Sequence, residues 1–349
     1  MSGRSQSLPA ISLIVPVYNG GDNFQRCLTS IASGVSPSTE VIVVGDGDTD
    51  GSWEKAQLFG FEGIRLPESR GPATARNIGA KQAKNEILFF VDADVEIYPD
   101  TLTKIAAVFE SDPQLAALIG SYDDAPGAAN FLSQYKNLFH HYTHQISSEE
   151  ASTFWGACGA IRRDIFLEMG GFDESYRLPC VEDIELGYRL KKAGYRIQLC
   201  KEIQVKHLKR WGIISLLRAD FFYRALPWTA LILRDRALSN DLNLQYSSRL
   251  SVVAIYLLSV SLIASVKYPI ALCLVVLASL ALLFLNVSVY QFFYHKRGLS
   301  FTLGTIFWHW LYYFYSGLAF AIGNMRYQLQ SFKQAMAHFT RKSKPSAPC

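Results

Sequence analysis

Through the N-terminal half of the chain, short apolar runs alternate with amphipathic stretches of helical period. ISLIVPVYN, Ile11 to Asn19, is an apolar strand closed by a polar turn, and a helix-like stretch follows from about Asp22 to Ser33. Glu40 to Val44 make a second strand, which runs into Asp46, Gly47, Asp48, Thr49, Asp50 and Gly51. Strand, helix and strand at this spacing predict a βαβ unit. Ile87 to Val91 form another apolar, β-prone run, and it ends on Asp92-Ala93-Asp94. In VEDIELGYRLKKAGY, Ile184, Leu186 and Leu190 give one face of a helix that opens with Glu182 and Asp183. The pattern is that of an α/β domain with polar residues at the carboxyl ends of its strands, where open sheets bind ligands.

Past Arg210 the pattern changes. Trp211 to Leu233 alternates apolar turns with Arg218, Asp220 and Arg224, as an in-plane amphipathic helix broken near Pro227 would. Leu250 to Val266 and Ile270 to Phe293 carry no charge, and only Lys267, Tyr268 and Pro269 separate them. A span needs ~20 apolar residues, so this pair predicts a transmembrane hairpin. Gly298 to Met325 is also uncharged and dense in aromatics, which fits an interfacial belt as well as a further span. The expected layout is a tail (1–10), a catalytic domain (11–210), an interfacial segment and linker (211–248), a membrane region (249–325, with apolar segments 250–266, 270–293 and 300–323) and a basic tail (326–349). Charged residues make up 18% of the chain and its mean hydropathy is +0.11, the excess lying in this C-terminal part.

Charge and cysteine usage narrow the classes. A net charge of +4 does not argue for a nucleic-acid partner. The six cysteines show no C-x-x-C pair, which fits a reducing compartment and neither a disulfide framework nor a zinc site. The N-terminus lacks the apolar core of a signal peptide, so the domain ahead of the first span is expected to face the cytoplasm, as in a multi-pass protein of a bacterial inner membrane. His295-Lys296-Arg297 agrees with that orientation, whereas a third full span would put Arg326, Lys333, Arg341, Lys342 and Lys344 on the far side, against the positive-inside tendency.

Residues i and i+2 of a strand project to one side, so Asp92 and Asp94 could together hold a hard cation that neutralises a diphosphate. For a lone D-x-D a solvated turn is the commoner explanation, and it is the neighbouring motifs that outweigh it. Acids at the mouth of the second strand could accept hydrogen bonds from a base N–H or from ribose hydroxyls, or serve an ordinary Gly/Asp turn. In SRGPATARNIGAKQA, small residues open a helix on which Arg76 offers a cationic fork suited to phosphate, though a surface helix residue has the same spacing. Asp183 is free to point into a cleft, or merely favours its helix dipole together with Glu182. Phe154 and Trp155 offer aromatic faces to a sugar or lipid, with burial in the core as the competing role. His140, His141 and His144 lack a carboxylate or Cys to complete a metal shell, and the Tyr135–His144 stretch is expected to be a helix leaning toward a membrane surface or the acceptor.

Taken in order, these motifs resemble the inverting family 2 glycosyltransferases, which have the GT-A fold, a mixed and mostly parallel α/β sheet. The resemblance runs from about Ile11 to Trp211 and rests on PVYN, the acidic turn, Ala-Arg-Asn-x-Gly, D-x-D, GGFDE (Gly170 to Glu174) and the Glu182-Asp183 pair. It implies that a nucleotide-sugar donor binds Pro16, Tyr18, Asn19, Asp46, Arg76, Asp92 and Arg210. It further implies that Asp94, with Asp92 and His207, holds Mn²⁺ or Mg²⁺, that Asp183 is the general base with Glu182 beside it, and that Phe154, Trp155 and Trp211 meet the acceptor.

There are two departures from the family pattern. The commoner Asp-Asp-Gly-Ser turn reads Gly45-Asp46-Gly47-Asp48, and the Gln-x-x-Arg-Trp of processive synthases reads His207-Leu208-Lys209-Arg210-Trp211. The expected function is transfer of a sugar to a lipid-linked or cell-surface polysaccharide precursor. A processive polysaccharide synthase and a catalytically silent nucleotide-sugar-binding scaffold are the alternatives.

Overall fold

The computed structural model describes residues 8–36, 39–235 and 242–342. The chain divides into two compact units, one reaching to Leu216 and joined by a short stretch around Asn243, the other beginning at Leu217.

The first unit is built on strands β1 (Ile11–Val17), β2 (Glu40–Asp46), β3 (Glu62–Leu66), β4 (Ile87–Val91), β5 (Val95–Ile97), β6 (Ala117–Tyr122), β7 (Cys158–Arg162) and β8 (Ile197–His207). They form one eight-stranded sheet in the order β3-β2-β1-β4-β7-β6-β8-β5. β1, β2, β3 and β4 are mutually parallel, as are β6 and β8, while β7 runs antiparallel to β4 and β6, and β5 to β8. Every residue of β1 and β4 is buried, as expected of parallel strands covered on both faces. Helices α1 (Gly21–Gly34), α2 (Ser52–Leu58), α3 (Pro72–Gln82), α4 (Thr101–Ser111), α5 (Phe131–Ile146), α6 (Arg163–Glu168) and α7 (Glu182–Lys192) connect them. β1 leads through α1 to β2 on one side, whereas α3 carries the chain back across β1 to β4 on the other. That reversal is the switch point at which open α/β sheets form their crevice, and the PVYN, acidic and D-x-D turns all open onto that edge.

Pro72 starts α3 at a position where a missing N–H costs nothing. Its small residues let it lie almost wholly buried against β1 and β2. Asn77 then locks onto GGFDE. Its Nδ2 donates to Phe172 O (2.8 Å) and its Oδ1 accepts from Phe172 N–H (2.9 Å). Gly171 has φ +75°, and a Cβ there would lie 2.5 Å from Asn77 Oδ1, so the turn needs glycine on both counts.

α5 departs from expectation. It packs its Tyr135, Asn137, Leu138, His141 and His144 face against β6 and β8 instead of presenting it to a membrane. His141 Nδ1 lies 2.7 Å from Tyr122 O and His144 Nδ1 3.1 Å from Gly120 O, so both rings serve the backbone of β6.

A helical stretch starts with α8 (Ile213–Arg218) and continues in π geometry over Ala219–Ala225 into α9 (Leu226–Asp235). No break occurs at Pro227, although it lies inside this helical run; the change from π to α geometry falls just before it. In the second unit the expected three apolar segments are drawn differently. α10 (Tyr246–Ser265) alone, among the described residues, is long and apolar enough to cross a membrane. α11 (Ala271–Leu285) and α12 (Val287–Lys342) meet at a 64° bend and make a second span only if taken together. The expected 270–293 segment is therefore cut at Asn286, and 300–323 lies within α12 after Gly298, whose φ of 77° interrupts the helix. Asn286 fastens the bend, donating to Ser251 Oγ (2.9 Å) and accepting from the Tyr313 hydroxyl (2.6 Å). Val253, Ile263, Leu272 and Leu277 are exposed on α10 and α11, an apolar surface of the kind that lipid or a partner covers.

Candidate active site

The turns after β1 and β2 are tied together. Asn19, in the left-handed region at φ 51°, accepts the Thr49 N–H (2.8 Å), and Asp50 accepts the Gly21 N–H (2.9 Å). Tyr18 projects from this edge, 57% exposed and available to a ligand, while Pro16 is buried inside β1 opposite Val44. Asp46 does not offer itself to a base or ribose. It is buried, and its oxygens accept from Ser69 Oγ (2.9 Å), Arg70 N–H (2.7 Å) and Gly71 N–H (2.9 Å), anchoring the loop that enters α3.

Arg76 is likewise not a surface residue. It is 5% exposed, donates to Asp92 Oδ1 (2.7 Å) and to Glu182 Oε1 (2.8 Å), and lies over the Phe172 ring. Burial alone would lower its pKa, but Asp92 and Glu182 outweigh that and hold the guanidinium above its ordinary value. Asp92 Oδ1 is thereby engaged by Arg76. Glu182, buried, also accepts the Cys180 N–H (2.8 Å), so it braces the site and is not placed to take a proton from an acceptor.

Asp183 is the half-buried carboxylate of the pair. Its Oδ2 accepts the Gly156 N–H (3.0 Å) and its Oδ1 the Ile184 N–H (2.8 Å). Burial, and then the adjacent charge of Glu182, push its carboxyl up to about 6, where a general base near neutrality works best.

Across the cleft edge, Asp94 Oδ2 stands 3.6 Å from His207 Nε2 and 3.9 Å from Lys209 Nζ. Burial would raise the Asp94 carboxyl, but His207 and Lys209 hold it at about 2. His207 is buried at the end of β8 and stacked on Tyr122 (4.4 Å, 7°). Its Nδ1 lies 2.6 Å from Asn137 Oδ1. Asn137 thus holds the ring by Nδ1 and leaves Nε2 facing Asp94. A carboxylate oxygen and an imidazole nitrogen set side by side are groups that would hold a divalent cation. The fit is thus Asp94 with His207, oriented by Asn137 as metal-bound histidines are from behind. Among the described residues no group of three or more His, Cys, Asp and Glu is placed to hold a metal ion.

Phe154 is 1% exposed and packs among Phe90 and Phe172, so it belongs to the core and not to an acceptor surface. Trp155 is half-buried against Tyr122 and His140. Trp211 donates its backbone N–H to Ser133 Oγ (2.7 Å) and lies under Lys209 Nζ (4.8 Å). Arg210 is exposed, and it is Lys209, not Arg210, that approaches Asp94. Sequence reading missed Lys209, Asn137 and Gly156. Lys209 lies two residues after His207 in an extended run, which was a usable signal. The other two act from a helix and a loop with no motif of their own.

Comparison with known proteins places this geometry. Residues 12–170 match the family model described as Glycosyl transferase family 2. Glycosyltransferase AglE of Haloferax volcanii is 37% identical over 211 residues, 57% of this chain and 67% of that protein. Poly-beta-1,6-N-acetyl-D-glucosamine synthase of Staphylococcus epidermidis is 31% identical over 125 residues, 35% of this chain and only 30% of the synthase. The mannosyltransferase PcManGT from Pyrobaculum calidifontis, solved with GDP-Man and Mn²⁺, matches with a TM-score of 0.59 at 18% identity, covering 90% of this chain and 88% of that one. At that identity the likeness speaks for the GT-A fold.

Proposed function

The chain belongs to glycosyl transferase family 2, and from that premise we propose that it is an inverting, divalent-metal-dependent enzyme that moves a sugar from a nucleotide-diphospho-sugar to a hydroxyl of a lipid-linked or cell-surface polysaccharide precursor. The observation that carries this reading is Asp183, a half-buried carboxylate with its pKa raised to about 6 and its orientation fixed by the Gly156 N–H. Asp183 accepts the proton of the acceptor hydroxyl as that oxygen attacks the anomeric carbon from the face opposite the nucleotide. One displacement inverts the centre, and help of this kind contributes ~10²–10⁴-fold. Asp94 and His207 would hold the cation, and Lys209 adds positive charge beside them. When bound, Mn²⁺ or Mg²⁺ supplies charge neutralisation for the departing diphosphate. Tyr18 is the exposed aromatic beside the donor, and Trp155 and Trp211 face the acceptor side.

The carboxylate must be ionised to accept a proton. Transfer is therefore expected to be flat above neutrality and to fall as pH drops through about 6, approaching about tenfold per pH unit below that. An initial-rate profile at saturating donor checks this, and a rate independent of acidity down to about pH 5 would remove Asp183 from the role.

The acceptor side follows from the apolar helices. Only Arg234 to Arg249 separates the interfacial stretch from the first uncharged run, so the catalytic unit is tethered to a bilayer, with its cytoplasmic face the one that meets the donor. An acceptor on a lipid carrier is there concentrated and oriented. With the full chain in lipid vesicles, a donor screen scored by nucleotide release is expected to show release stimulated by a lipid-linked saccharide. Full activity on a water-soluble saccharide, with none on lipid-linked material, would refute the acceptor class.

A further inference from the structure

We propose that Arg76 is a positioning residue for the reaction, the internal cation that joins the D-x-D to the base-bearing helix and sets the charge felt by Asp183. The inference rests on Asp183 being the proton acceptor. Arg76 leaves the first turns of α3 and spreads its fork between two elements distant in sequence, reaching Asp92 at the end of β4 and Glu182 at the start of α7. Phe172 covers the guanidinium at 5.4 Å. Gly156 approaches it closely as well, since a Cβ there would lie 3.0 Å from the guanidinium carbon. The same Gly156 donates its N–H to Asp183 Oδ2. A single glycine thus keeps the cation and the base in register.

The charges around Asp183 are unequal in sign. From α7 it faces Glu182, from α3 Arg76, and from the loop before β7 only the Gly156 N–H, while Asp92 acts through Arg76. Three carboxylates therefore share one guanidinium. Glu182 raises the Asp183 carboxyl and Arg76 lowers it. Removing either should move the acid limb of the rate profile, and in opposite directions. A residue that merely filled space would lower the plateau and leave the limb in place.

The test measures kcat and KM against pH for the full chain in vesicles, with Asp183→Asn as the control for the limb. Arg76→Gln should shift the limb upward by about one pH unit, the low end of what a nearby cation does. Glu182→Gln should shift it downward. Arg76→Lys keeps the charge without the fork, so its limb should stay near the wild-type position with a lower plateau. A folded Arg76→Gln protein with an unmoved limb overturns the proposal. If Arg76→Gln does not fold, Glu182→Gln decides alone, and an unmoved limb there overturns it too. A wild-type profile whose limb persists in Asp183→Asn takes down the base assignment itself, an outcome distinct from an unmoved limb in the Arg76 and Glu182 variants.

Discussion

Asp183→Asn is expected to lower sugar transfer at least ~10²-fold while nucleotide-sugar binding stays close to normal. The amide has nearly the carboxylate's volume, and its oxygen can still accept the Gly156 N–H that fixes the wild-type side chain. What it cannot do is take a proton from the attacking hydroxyl. The loss should appear in kcat and not in donor KM, because the group acts on the acceptor oxygen in the transition state. Folding should not suffer. Asp183 carries an unfavourable pKa shift, caused first by burial and then by Glu182, so replacing its charge removes a cost from the folded state at neutral pH. Titration of donor by calorimetry and single-turnover transfer separate the two effects. Near-normal turnover in a folded variant that binds donor would end the assignment.

The parts of the molecule that were legible in the sequence are those in which a local pattern decides the outcome. β1, β2 and β4 are continuous apolar runs, and their carboxyl ends carry the polar turns because a parallel sheet leaves only that edge for ligands. The helix opened by Glu182 and Asp183 was legible for the same reason, since an acidic first turn and an apolar face are both local signals. The residues whose surroundings were not legible are those that pair with a partner far along the chain. Arg76 has the spacing of a surface phosphate ligand, yet Asp92 and Glu182 draw it into the interior. Asp46 has the composition of a ligand turn, yet the next loop's backbone uses both its oxygens. Phe154 and Trp155 are neighbours with opposite fates: in the loop before β7 one ring packs among Phe90 and Phe172 and the other stays half-buried against Tyr122 and His140. In the second unit, hydropathy marked where the apolar helices are but could not mark the bend at Asn286, which is fastened by Ser251 and Tyr313 from other helices.

Asp94→Ala should remove the metal dependence of donor binding along with most of the activity. Asp94 Oδ2 and His207 Nε2 lie 3.6 Å apart, and Asp94 is held ionised at about 2 by His207 and Lys209 against the opposing effect of burial. A carboxylate kept charged at a diphosphate site repels the ligand unless a cation stands between them. The variant therefore has a signature that simple damage lacks. In EDTA it should bind a nucleoside diphosphate no more weakly than the wild type, because the repelling charge has gone while Lys209 remains. In Mn²⁺ or Mg²⁺ it should fail to gain the affinity that the wild type gains. Transfer should fall at least ~10²-fold, the scale on which one preorganised charge-stabilising contact acts on a developing anion. Asn137→Leu, which frees the His207 ring without touching a ligand atom, should give a smaller loss of about 10–100-fold in metal affinity. Titrating nucleoside diphosphate with and without metal, for wild type and both variants, reads all of this directly. If transfer survives both Asp94→Ala and EDTA, the donor site works without a cation and the facing pair of Asp94 and His207 has another purpose.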